Sequence, residues 1–287
     1  MTQSLSDFYR SREIYVKLPT NGVYYKNLKN LSVDGELGVM PMTNRDEVML
    51  KVPDTLYNGA AIFELIKSIA PDIEDPYELK IPDLDVIILA TRVASYGEQL
   101  EVSATCPHCA KTNEYSVDLT GILAGIKSIP QDDELEINNL TVKLQPNSVK
   151  SITARGMSLS KTNAAIMQMR NQNDQELLKT DQFKELLESI SAAEIVTVAD
   201  AIQYVRTPDG TEISDMQEIV NWITNSTSYV YKQLRKAVNS MNDSGVKKTF
   251  TYTCGNEDCE KTFENDIELN PTFFFSDSIP RHSQTTK

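Results

Sequence analysis

The sequence predicts an α+β fold in which an N-terminal β-rich segment leads into two β-hairpins that close on each other across a mainly helical insertion. Three observations carry that prediction. Apolar residues alternate between Ser11 and Thr43, two cysteine pairs with matching flanks stand far apart at 106–109 and 254–259, and a 3.6-residue apolar period runs through much of the chain between them.

Each element follows from its residues. Ile14, Val16 and Leu18, then Val23 and Tyr25, then Val33, Leu37 and Val39 alternate, broken by Pro19, Asn21-Gly22 and Asp34-Gly35, which reads as short strands joined by turns. Asn44 to Lys51 is expected to be a short helix capped by Thr43 or Asn44. Ala60 to Ala70 repeats Ile62, Phe63, Leu65, Ile66 and Ile69 at helical spacing until Pro71 stops it. Pro71 to Asp85 carries six acids, one base and three prolines, so it is expected to be a solvated connection without chemistry ahead of a buried helix at Leu84 to Ser95. Beyond Asp118 a hairpin is expected at Glu134 to Leu144, with Leu135 and Ile137 facing Val142 and Leu144 across Asn138-Asn139. Helical signals then dominate from Val149 to about Asn242. Phe183, Leu186, Leu187 and Ile190 form one stripe, and Ile219, Val220, Ile223, Val230 and Leu234 another. Ser214 with Gln217 reads as a capping box, and Pro208-Asp209-Gly210 breaks the two helical regions. Trp222, the single tryptophan, is expected in the core.

The cysteines carry the chemistry. Cys106-Pro-His-Cys109 and Cys254-Gly-Asn-Glu-Asp-Cys259 are two pairs whose spacings suit knuckles that each give two thiolates to a tetrahedral Zn²⁺. Their flanks echo each other. Thr105 and Thr253 precede the first cysteines, Lys111-Thr112 and Lys261-Thr262 follow the second, then come Glu114 and Glu264, Val117 and Ile267, Leu119 and Leu269. Two hairpins clasping one structural ion make a zinc ribbon, here split by residues 110–253. Loop-closure entropy grows only logarithmically with length, so the insertion is no obstacle. Four cysteines complete the tetrahedron, which leaves His108 as a solvated knuckle residue. Cys-Pro-His-Cys also resembles the active site of thiol oxidants, but there a helix N-terminus follows the first cysteine, and here strand-like residues flank both sides.

Composition excludes other classes. Forty-one acids against 28 Lys and Arg give a net charge of −13, with no basic cluster to displace phosphate counterions, so nucleic acid is an unpromising partner. No phosphate loop, nucleophile elbow or His-Glu-x-x-His occurs, and a closed Cys₄ site offers no position for a reactive water, so no enzyme and no small-molecule substrate are expected. The longest aliphatic run, Val86 to Ala90, is far short of the roughly 20 residues of a membrane span, and Met1 to Arg12 lacks the apolar core of a signal peptide. The expected compartment is a reducing cytoplasm. Phe273, Phe274 and Phe275 cannot all point inward from an extended strand, so one face of this run needs either another element of the chain or a partner over it.

The order of motifs then carries a resemblance. The Leu18-Pro-Thr-Asn-Gly22 turn, the strand into Met40-Pro-Met-Thr43, the helix into Ser95-Tyr-Gly-Glu98 and Cys106-Pro-His-Cys109, the helix ending at Asn242, the second knuckle and Asn270-Pro-Thr-Phe-Phe-Phe275 are together similar to T-even-like myophage baseplate hub assembly proteins. The similarity covers most of residues 11–276 and departs from a two-residue knuckle spacing at Cys254–Cys259. It implies a phage protein that binds other baseplate hub subunits, acting in the host cytoplasm during assembly or remaining in the contractile tail. The expected division is residues 1–94 as a β-rich and helical N-terminal segment, 95–120 with 247–275 as the split ribbon, 121–246 as the insertion and 276–287 as a polar tail. A cellular zinc-ribbon adaptor that uses Lys111, Lys247, Lys248 and Lys261 on nucleic acid or transcription machinery is the alternative.

Overall fold

A computed structural model describes residues 4–5, 9–25, 28, 31–32, 35–51, 60–131, 133–171, 181–267, 269 and 274–275. Val33, Asp34, Phe273 and the expected polar tail lie outside them.

Strand β1 (Ile14–Val16) pairs antiparallel with β2 (Leu37–Val39), and the Asn21-Gly22 turn between them takes the left-handed backbone its residues favour. Helix α1 (Asn44–Leu50) is capped by Thr43, whose hydroxyl accepts from the Asp46 amide while the Asp46 carboxylate accepts from the Thr43 amide. Helix α2 (Ala60–Ile69) turns Ala61, Leu65, Ile66 and Ile69 inward. These elements pack around α3 (Ile81–Tyr96), whose Val86, Ile87, Ile88, Leu89 and Ala90 are all buried. A helix apolar on every side is stable only when other elements surround it.

The acidic stretch before α3 is not the solvated connection expected. The helix begins at Ile81, three residues early, with Pro82 in its first turn, where a missing N–H costs nothing. Asp72, Asp83 and Asp85 are each buried and each finds partners: Arg12 at 2.7 Å from Asp72, Lys248 at 2.6 Å from Asp85, and a polar cradle around Asp83. The Asp83 carboxylate accepts from the Thr20 amide at 3.0 Å, the Thr20 hydroxyl and the Tyr25 hydroxyl. It thereby pins the Leu18–Gly22 turn to the central helix. Desolvation raises the pKa of both Asp83 and Asp85.

Past α3, β3 (Gln99–Thr105) and β4 (Thr112–Asp118) form a hairpin, and the short helix α4 (Leu119–Ala124), capped by Asp118, leads out of it. The chain then enters a second layer. Here β5 (Glu134–Ile137) and β6 (Leu140–Leu144) pair as expected, Leu135 opposite Val142, with Asn138 and Asn139 both at positive φ as a two-residue hairpin turn requires. Ile137 pairs with Leu140, however, not with Leu144. Two long helices follow, α5 (Val149–Asn171) and α6 (Asp181–Asp200). The Pro-Asp-Gly segment interrupts the helices as expected, but β-structure flanks it where helix was read: β7 (Ile202–Arg206) and β8 (Glu212–Ile213) complete an antiparallel sheet in the order β5-β6-β7-β8. Five residues with two inward positions, Ile202 and Val205, are too few for periodicity alone to separate strand from helix.

Helices α7 (Met216–Asn225) and α8 (Ser228–Asn242) cover that sheet with Ile219, Ile223, Val230 and Leu234, and Trp222 packs half-buried against the same core. The cap of α7 is Asp215 in place of Ser214, its carboxylate accepting from the Glu218 amide. The stripe from Phe183 to Ile190 stays half-buried at best, and Leu187 is exposed. The last hairpin, β9 (Thr249–Thr253) and β10 (Thr262–Asp266), returns to the first layer.

Two apolar cores result. The first joins residues 14–126, Val149 and residues 246–275; the second lies within residues 129–241. Asn147, fully buried, stitches them. Its backbone carbonyl accepts from the Ile81 amide, its side chain and backbone exchange hydrogen bonds with the Asn242 side chain, and its amide nitrogen donates to the Thr197 carbonyl. Phe274 and Phe275 belong to the first core, with 3% and 4% exposure, so neither supplies a free face for a partner. The alternation argument presupposes an extended chain. At Phe274 the backbone is helical, and its carbonyl accepts from Arg92 on α3 at 2.9 Å.

Candidate metal centre

Each cysteine pair occupies the tip of a hairpin, and the two tips meet. Cys106 and Cys109 cap β3–β4; Cys254 and Cys259 cap β9–β10. The four sulfurs lie within 4.8 Å of one another, with Cys106 Sγ 3.9 Å from Cys259 Sγ and Cys109 Sγ 3.6 Å from Cys254 Sγ. Thiolates about 2.3 Å from a tetrahedral ion stand about 3.8 Å apart, so these separations suit a soft divalent metal. They are far beyond the roughly 2.05 Å of a disulfide, and all four cysteines are free.

The backbones of the two knuckles match. In each, the amide of the first cysteine donates to the lysine carbonyl after the second: Cys106 to Lys111 and Cys254 to Lys261, both at 3.0 Å. The residue after each second cysteine, Ala110 and Glu260, sits at positive φ and donates to the carbonyl four residues back, Cys106 and Asn256 respectively. The tight turn of the longer knuckle therefore runs from Asn256 to Glu260. Its two extra residues lie before that turn, where Gly255 passes so close to Asn113 that a Cβ would stand 3.2 Å from the Asn113 amide oxygen.

Asn113 is also the polar neighbour that sequence reasoning missed. Its amide nitrogen lies 3.6 Å from Cys254 Sγ, a donor aimed at a thiolate across the hairpin boundary. The echo of the flanks could not reveal it, because the equivalent position on β10 is Phe263. Below the sulfurs, Tyr115, Tyr252 and Phe263 pack ring against ring, with centroids 4.5–6.2 Å apart, and the Tyr115 hydroxyl donates to the Thr253 carbonyl. These contacts join the facing hairpins alongside the cysteines and the approach of Gly255 to Asn113.

Electrostatics favours a cation here. The Lys111 backbone amide lowers the Cys109 thiol to about 7, while at Cys259 the Lys261 amide acts the same way but desolvation and the neighbouring thiols outweigh it and hold the pKa at about 11. Four sulfurs this close cannot all ionise without a compensating positive charge.

The remaining sequence candidates are not assembled into a site. His108 is exposed on its knuckle. Cys106 has no exposure and is followed by strand β4, not a helix, against the arrangement of a thiol oxidant. Of the four lysines near the knuckles, Lys248 is held between Asp85 and Asp243, and Lys247 lies over the Phe250 ring. No helix among the described residues is long and apolar enough to cross a membrane.

No curated protein and no solved structure matches the chain. A family model does: that of the T4 bacteriophage base plate protein matches residues 23–275, from the turn before β2 to the buried Phe275, and so takes in both knuckles, the second core and all buried residues of the first but Val16 and Leu18. The chain belongs to the T4 bacteriophage base plate protein family.

Proposed function

We propose that the chain is a non-enzymatic baseplate hub protein or hub assembly factor, and that Cys106, Cys109, Cys254 and Cys259 hold one structural Zn²⁺ in a ribbon split between residues 95–120 and 247–275. The observation that carries the metal reading is the meeting, at tetrahedral sulfur spacing, of two knuckles separated in the chain by residues 110–253. A hairpin of five-residue strands is marginal alone, and the ion would fix its orientation on the first hairpin. Four thiolates close the coordination shell and leave no place for water, which supports a structural ion and no catalysis. The base plate family supports binding of other phage proteins, which we read as hub subunits, with action in the host cytoplasm during assembly and residence in the tail baseplate as the proposed setting. The adaptor alternative is weakened because Lys248 is engaged within the chain.

Two measurements test this. Protein purified without added zinc is expected to carry close to one Zn²⁺ per chain, and a stoichiometry near zero in a folded sample would remove the metal. A phage carrying a null allele is expected to yield particles without functional tails. Normal yields of infectious tailed particles, from a genome with no second copy, would remove the hub function.

A further inference from the structure

Helices α5 and α6 form a hairpin that, among the described residues, the rest of the chain covers only near its base. At its base Val149, Val198 and Ala199 are buried, but between residues 150 and 196 only Thr162 is buried among the described side chains. Leu159 and Ile166 on α5, and Leu186 and Ile190 on α6, are half-buried, while Met167, Leu187 and Val196 are 66%, 47% and 46% exposed. Two helices touching along one seam shield each other on one side only. Apolar side chains on the open faces gain burial only from a further layer.

Charge indicates what that layer is. Helix α5 carries Lys150, Arg155, Lys161 and Arg170 and no acid; α6 carries Asp181, Glu185, Glu188, Glu194 and Asp200 against the single Lys184. The basic and acidic helices lie side by side, with one ion pair between them among the described residues, Arg155 to Glu194. A two-fold axis lying in the plane of such a face and parallel to its helices sets the basic helix of one copy on the acidic helix of the other, twice. The face is thus complementary to itself, as an isologous contact requires. At 1.5 Å per residue the 23- and 20-residue helices are about 34 and 30 Å long, and two helices about 10 Å wide present roughly 600 Å², approaching the ~800 Å² per partner of a stable interface.

We propose that this hairpin docks on the same hairpin of a second copy of the chain, forming an intermolecular four-helix bundle. The proposal is independent of the metal and of the hub reading. Its test uses the full-length protein and two charge variants at exposed positions: Lys150→Glu with Lys161→Glu, which makes the hairpin more acidic, and Glu185→Lys with Glu188→Lys, which makes it more basic. By light scattering after gel filtration, the unaltered protein is expected to have the mass of a dimer, each variant alone that of a monomer, and an equimolar mixture a dimer again. Unchanged circular dichroism and metal content would show that both variants fold. A monomeric unaltered protein at its highest soluble concentration overturns the proposal, including the case in which another phage protein binds the hairpin instead. Dimers that persist in both separate variants overturn it too, since the contact would then lie elsewhere.

Discussion

The two cores are built in opposite ways. The second is nearly local: a meander of strands β5 to β8 and the helices joined to it by short turns, all within residues 129–241. The first gathers residues 14–126 and then waits for residues 246–275 to return from the far side of that insertion. Its closing piece is one short hairpin whose strands, among the described residues, pair only with each other. The difference teaches where a covalent-strength clamp is useful. A core closed by neighbours in sequence forms as its helices form, whereas a late-arriving two-stranded hairpin brings little apolar area and gains most from metal ligation.

The largest expected effect separates the cores outright. Structural zinc contributes on the order of 10 kcal/mol in small modules. Chelation or Cys254→Ser is therefore expected to free the β9–β10 hairpin and destabilise the first core, while the fluorescence of Trp222, which packs on the second core, barely moves. Cys106→Ser is expected to match Cys254→Ser, because in the proposed site both would hold the same ion. A shift of Trp222 emission together with metal loss would break the comparison and make the cores one cooperative unit.

Matched truncations come next. Phe274→Ala in the first core is expected to cost about 3–5 kcal/mol and Leu234→Ala in the second about 2–5 kcal/mol. In thermal unfolding followed by Trp222 fluorescence, Leu234→Ala should lower the transition and leave bound zinc unchanged, and Phe274→Ala should do the reverse. Equal responses of both probes to both changes would again merge the cores.

A smaller effect tests the polar cradle that anchors the first core. Asp83→Ala leaves the Thr20 amide and Tyr25 hydroxyl short of an acceptor and is expected to cost about 1–3 kcal/mol. Because desolvation raises the Asp83 pKa, its contribution is fullest below the ordinary Asp value of about 3.9 and declines as pH rises through the raised folded value. The stability difference between unaltered protein and variant should thus shrink with rising pH across that window. A difference that grows would contradict the assignment. Smallest is Asn113→Ala. Loss of the donor to Cys254 is expected to weaken zinc binding about 10-fold, roughly 1.4 kcal/mol, measured by competition with a chelator.

Much of this architecture was legible in the order of residues because local rules act on neighbours. Alternation and turn residues located β1 to β6, β9 and β10; helical period located α2 and α7; and the echoing flanks of Cys106 and Cys254 placed both knuckles on hairpin tips before any contact was known. A capping residue could be off by one, as Ser214 for Asp215, since both can accept from the first turn.

Three matters were decided only by tertiary structure. Whether an acid is solvated depends on what folds over it: Asp72, Asp83 and Asp85 sit in a charge-rich, proline-rich stretch, yet Arg12, Tyr25 and Lys248 come from distant segments to pair with them inside the protein. Whether Phe274 meets its own chain or a partner depends on Arg92 and the core of α3, 182 residues away in the chain. The short run from Ile202 to Arg206 became a strand because β6 offered an unpaired edge beside it. Periodicity and turn chemistry are properties of adjacent residues and can be read in order, but desolvation, edge pairing and the nearness of Asn113 to Cys254 exist only once segments far apart in the chain share the same few ångströms.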